Sequence, residues 1–233
     1  MAQRITNLKP GQCNDIFPEI AKNAYDLFSV AKCAAEKGKY GCATSLLILG
    51  AEEYSKAIIV MLHAHCVNIF YIDQAVKVFR DHKSKHDVAS AFELLNLIAP
   101  VIKIVECVSK SSLRNVEGIL NLIVQLSSEF SEGISEAERI FDNLDWWKNA
   151  DEFKQKGFYS NYDDILIVPN HISRKEYDNA KVVVERLQRS YRLANIIFTR
   201  YPDLKGNIAT LLNQGIVKYN LRHTKKGQRM LKN

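Results

Sequence analysis

The stretch from Cys42 to Asn68 constrains this chain most. On a helical wheel it is hydrophobic in nearly every direction, broken by one narrow polar stripe of Ser45, Glu52, Lys56 and His63, with Glu53 at its edge. A helix that is apolar on most sides belongs at the centre of a bundle. Polar groups on such a helix must be paired or reach water. The stripe therefore faces polar groups of a neighbouring helix or lines a cleft. Glu52 and Lys56, four apart in the favourable order, offer the simplest pairing.

The rest of the chain reads as helices that could surround it. Asp15 is placed to cap a helix over 16–37, and Gly38 and Gly41 bracket the turn that follows. A third helix is expected over 72–99, stopped by Pro100. Two more are expected over 101–110 and 112–130. Ser135 to Glu138 reads as a capping box for a helix through Trp147 or beyond, and Gly157 ends that region. Residues 158–171 read as loop, with a short extended piece over 165–168. Ser173 to Glu176 is a second capping box, opening a helix to about Thr199 before Pro202. The fold class is all-α, an antiparallel helix bundle. The near-absence of strand patterns argues against doubly wound nucleotide-binding folds, and there is no Gly-rich phosphate loop.

No apolar run is long enough to span a bilayer, and residues 1–11 lack the apolar core of a signal peptide. Five scattered cysteines, none in CxxC spacing, suggest reduced thiols in a cytoplasmic protein with no membrane attachment. Charge is unevenly spread. The whole chain has 32 Lys and Arg against 26 Asp and Glu, but residues 171–233 hold 14 against 4, and no acidic residue follows Asp203. A basic segment on a near-neutral body points to an anionic partner, nucleic acid before a membrane surface. We therefore divide the chain into a helical domain over 1–202 and a basic C-terminal extension over 203–233, whose last stretch reads as a disordered end.

A dense cationic run is Phe79-Arg80-Asp81-His82-Lys83-Ser84-Lys85-His86. On a continuous helix His82 and His86 share one face, and Arg80 and Lys83 an adjoining one. Such a run is either a solvated helix face or a site. A metal centre is not expected. His63 and His65 point to different sides of a helix, and the pair His82 and His86 has no obvious further ligands. No cofactor is expected either. Trp146 and Trp147 read as core or interface packing.

Three segments resemble the AbiV family of phage abortive-infection proteins, within the HEPN superfamily. Gly50-Ala51-Glu52-Glu53-Tyr54-Ser55-Lys56 is similar to its A-x-E-E-x-x-K helix. Phe79 to Lys85 is similar to its F-x-x-H-K-x-K run. Lys154 to Tyr162 is similar to its K-x-x-G-x-Y-x-x-Y segment. The resemblance implies a helical bundle that pairs as a homodimer, and a role in antiviral defence. Many HEPN domains are metal-independent endoribonucleases with an Arg followed a short distance on by His. Arg80 and His86 fit that signature, whereas the family run places its histidine at His82.

Metal-free RNA cleavage uses the 2′-hydroxyl as nucleophile, a base to take its proton and an acid to protonate the leaving 5′-oxygen. Histidine suits both roles near neutral pH. A guanidinium can bind two phosphate oxygens. The resemblance thus implies catalytic roles for Arg80, His82 and His86, with Lys83 and Lys85 holding the substrate backbone. Glu52, Glu53 and Lys56 would orient them. RNA, a second copy of the chain and a phage-encoded activator are the implied partners. A non-catalytic module holding RNA, a nucleotide or a phage protein in the same basic cleft is the alternative.

Overall fold

The computed structural model describes residues 5–93, 139–162 and 166–223. The helices expected over 101–110 and 112–130, and the capping box at Ser135, lie outside these residues. The described chain is helical: α1 (Pro10–Cys13), α2 (Ile16–Glu36), α3 (Tyr40–Ala64), α4 (Asp73–Lys77), α5 (His82–Glu93), α6 (residues 139–158), α7 (Arg174–Arg200) and α8 (Pro202–His223). The expected all-α bundle is what forms. Its strand content among the described residues is one antiparallel pair, β1 (Asn161–Tyr162) and β2 (Leu166–Ile167), with Asn161 opposite Ile167. The second strand falls within the predicted extended piece.

α3 is the central helix. Of its 25 residues 18 are buried, which leaves it no solvent face and explains its near-uniform apolarity. It packs against α2, α5 and α7. Ile48, Ile58, Val60 and Met61 of α3 meet Val183, Val184 and Leu187 of α7 in one core. Gly38 makes the α2–α3 hairpin possible. It adopts φ +70°, and the amides of Gly38 and Lys39 donate to the carbonyls of Ala35 and Ala34, closing α2 in a Schellman motif.

α6 lies against the start of α3 at unusually short range. A Cβ added at Gly157 would sit 2.3 Å from the Gly41 carbonyl oxygen and 2.1 Å from Ser45 Oγ. Ser45 Oγ donates to the carbonyl of Lys154 at 2.7 Å, so the two helices are pinned as well as close.

Three expectations need correction. The third helix is not continuous. Residues 78–80 form a turn, Asp81 lies outside helix, and α5 begins at His82. Asp81 is the reason: its Oδ2 accepts from the Ser84 amide at 2.9 Å and from Ser84 Oγ at 2.7 Å, the bonds of a helix N-cap. Gly157 does not end its helix, which runs one residue further. Pro202 ends the preceding helix as expected, but it also begins an ordered part of the basic extension, described to residue 223. It opens α8, whose Ile216 is buried in the main core. The amide of Asn213 clamps the chain after α3, donating to the Cys66 carbonyl at 3.1 Å and accepting from the Asn68 amide at 2.7 Å.

Candidate active site

The polar stripe of α3 carries a buried carboxylate in its middle. Glu52 is 2% exposed, and four cationic or titratable side chains converge on it. Oε2 accepts from Lys85 Nζ at 3.0 Å and lies 2.7 Å from His82 Nδ1. Oε1 accepts from Lys154 Nζ at 2.7 Å and lies 3.4 Å from His86 Nε2. His82, Lys85 and His86 come from the first turns of α5, and Lys154 from α6. The three segments Gly50–Lys56, Phe79–Lys85 and Lys154–Tyr162 thus meet at one group. Burial alone would raise the Glu52 pKa. The approach of His86, the hydrogen bond and charge of Lys154 and then the bond from Lys85 override it and hold the carboxyl well below its usual range. Glu52 is therefore ionised and can only accept.

His82 Nδ1 lies between the carboxylate, 2.7 Å away, and the Lys154 ammonium, 3.0 Å away. In the tautomer that bonds Glu52, Nδ1 carries the hydrogen and Nε2 keeps a lone pair. The His82 side chain is 50% exposed and helps to line a cleft of about 510 Å³. His86, Lys83, Ser90, Trp147, Lys148 and the carboxylates of Asp81, Asp87 and Asp151 share that lining. A half-open imidazole backed by a buried carboxylate is an arrangement that can take and return a proton.

The other expected residues fall into different places. His86 is buried, faces Glu52 and lies 6.0 Å from the Trp147 ring centroid. Lys83 is exposed on the cleft. Lys85, expected to hold a substrate backbone, is instead buried and spends its ammonium on Glu52. Arg80 is exposed in the turn before the Asp81 cap and is not among the residues lining the cleft. Because the helix breaks there, Arg80 and Lys83 do not share the regular helical face predicted for them. Glu53 and Lys56 pair with each other at 2.5 Å, so the predicted Glu52–Lys56 pair does not form. His63, at the end of the stripe, bonds the Leu8 carbonyl at 2.9 Å.

Sequence reasoning missed Lys154, Asp151 and Trp147 as site residues. Lys154 had a signal: with Gly157 it forms the i, i+3 face of α6 that meets α3. Trp147 was read as packing, and its side chain is indeed buried, but it also forms part of the cleft wall. α5 is held at its far end too. Buried Glu93 accepts from Asn143 Nδ2 of α6 at 2.7 Å and from Arg186 Nε of α7. No helix among the described residues is long and apolar enough to cross a membrane.

A family model, HEPN_AbiV, described as AbiV, matches residues 12–189. That span takes in α2 to α6 and all three segments that meet at Glu52. No curated protein and no solved structure gives a match.

Proposed function

The chain belongs to the AbiV family of HEPN proteins, and from that premise we propose that it is an abortive-infection protein acting as a metal-independent endoribonuclease in the cytoplasm. One observation carries the enzymatic reading. His82 Nδ1 is 2.7 Å from the ionised, buried Glu52 while half of its side chain stays open to a cleft. In this reading Nε2 takes the proton of a ribose 2′-hydroxyl, and the resulting oxyanion attacks the adjacent phosphorus. The imidazolium, stabilised by Glu52, then returns the proton to the departing 5′-oxygen, leaving a 2′,3′-cyclic phosphate. Lys83 at the cleft, and Arg80 in the turn before it, would meet phosphate oxygens. His86 would support Glu52 from the buried side. A second copy of the chain would bring a second such set to the same RNA, and the basic extension over 203–233 would add phosphate contacts. A phage-encoded protein would act as the trigger.

The charge of the cleft favours a second reading. Three carboxylates, Asp81, Asp87 and Asp151, share its lining with Lys83 and Lys148, and Arg80 stands outside it. A non-catalytic module that holds RNA, a nucleotide or a phage protein would need no guanidinium there. Purified protein incubated with single-stranded RNA and a chelator separates the two. The enzyme gives cyclic-phosphate ends that His82→Ala abolishes and Arg80→Ala reduces. Binding without cleavage, also after co-expression with phage proteins, would support the module. Equal cleavage by wild type and His82→Ala would remove His82 from the chemistry.

A further inference from the structure

Lys154 places one ammonium beside three side chains from three elements. Its Nζ lies 2.7 Å from Glu52 Oε1 on α3, 2.7 Å from Asp151 Oδ1 on α6, and 3.0 Å from His82 Nδ1 at the start of α5. Those same three side chains form a metal-ligand set, with ligand atoms within 4.8 Å of one another. Two carboxylates and an imidazole are donors that divalent transition ions accept. The spacing, however, suits an ammonium. Charge-assisted N–H···O contacts run at about 2.7–2.9 Å, whereas zinc sits about 2.0–2.2 Å from nitrogen and carboxylate ligands.

We propose that Lys154 is the resident cation of this site, a positioning residue whose ammonium stands where a metal ion would and holds Glu52 and Asp151 together beside His82. Its backbone cannot drift. Ser45 Oγ bonds its carbonyl at 2.7 Å, and Gly157, one turn on, rests against Gly41. The side chain is buried along its length, so the ammonium has no route to water that keeps this packing. The inference builds on the reading above, from which it takes only that His82 is the working side chain. Its test reads metal binding, not RNA cleavage.

The full-length wild type, Lys154→Ala and Lys154→Arg are each titrated with Co²⁺. Binding is followed by visible absorption and by the NMR signals of the His82 ring. Lys154→Ala binds Co²⁺ at least about tenfold more tightly than wild type, a difference of about 1.4 kcal/mol. That gain disappears in Lys154→Ala combined with His82→Ala. Lys154→Arg, which keeps a cation, behaves as wild type does. Lys154→Met retains the buried stem and carries the same expectation as Lys154→Ala if the latter does not fold. A wild type that binds Co²⁺ through His82 as tightly as the variants, or a folded Lys154→Ala or Lys154→Met with no gain, overturns the proposal. A Co²⁺ gain in a protein that never cleaves RNA leaves Lys154 as resident cation and removes only the ribonuclease.

Discussion

Glu52 shows how far single residues could be read. That a carboxylate on an all-apolar helix needs a partner follows from the sequence; which partner does not. The i, i+4 spacing favours Lys56, yet Lys56 goes to Glu53 at the edge of the stripe, because Glu52 faces α5 and α6. Those partners lie 30 to 102 residues away along the chain, so no local rule reveals them. Replacing Glu52 by Gln leaves buried cations uncompensated and should cost about 3–5 kcal/mol in urea denaturation, as for other broken buried pairs. The acid side follows from the same depressed pKa. The folded chain takes up this proton at lower pH than the unfolded chain does. The contribution of Glu52 is therefore complete above about pH 4.3, the unfolded value, and is lost as pH falls further. His65 acts in a higher window. Burial, then the charge of Lys205, lowers its pKa, and its ring stacks on Phe198 at 5.1 Å. Its neutral form is the one the fold accepts, so stability is full above about pH 6.5 and declines below it. Urea midpoints of wild type should fall over that range, and His65→Phe should flatten the decline.

Element by element, existence was legible and interruption was not. The periodicity of α2 and α7 is strong, the near-uniform apolarity of α3 is as plain, and the Ser173–Glu176 capping box forms as the sequence indicates. The break before α5 was hidden because Asp81 reads equally well as a surface residue of a long helix. Its meaning as a cap depends on Ser84 three residues on and on the turn at 78–80. Asp81→Ala should lower the thermal midpoint, as the loss of an N-cap does, and should lower the order of the turn that carries Arg80. Gly157 was read as a helix end because glycine so often is one. Here it permits the close crossing of α3 and α6. Gly157→Ala should push α6 away from Ser45 and Gly41 at a cost of about 1–3 kcal/mol, the range for overpacking, measurable as a shifted thermal midpoint. A helix that moves off α3 carries Lys154 with it, so the same variant should also loosen the Glu52 cluster.

For the whole molecule, the match to the AbiV family over residues 12–189 ends before α8, yet α8 is part of the packed body. Charge made the C-terminal segment look like a separate extension, and charge carries no information about Ile216 or Asn213, which dock it. Deleting the chain from Pro202 onward should therefore lower the thermal midpoint, which the loss of an undocked tail would not do. The molecule assembles one ionised carboxylate, two lysine cations and one half-open imidazole from α3, α5 and α6, at the edge of a cleft. Everything proposed about chemistry depends on which nitrogen of His82 holds the hydrogen, and ¹⁵N NMR of the wild-type ring at neutral pH reads that directly. The hydrogen is predicted on Nδ1, shared with Glu52, with Nε2 bare towards the cleft; a hydrogen on Nε2 with Nδ1 bare would contradict it.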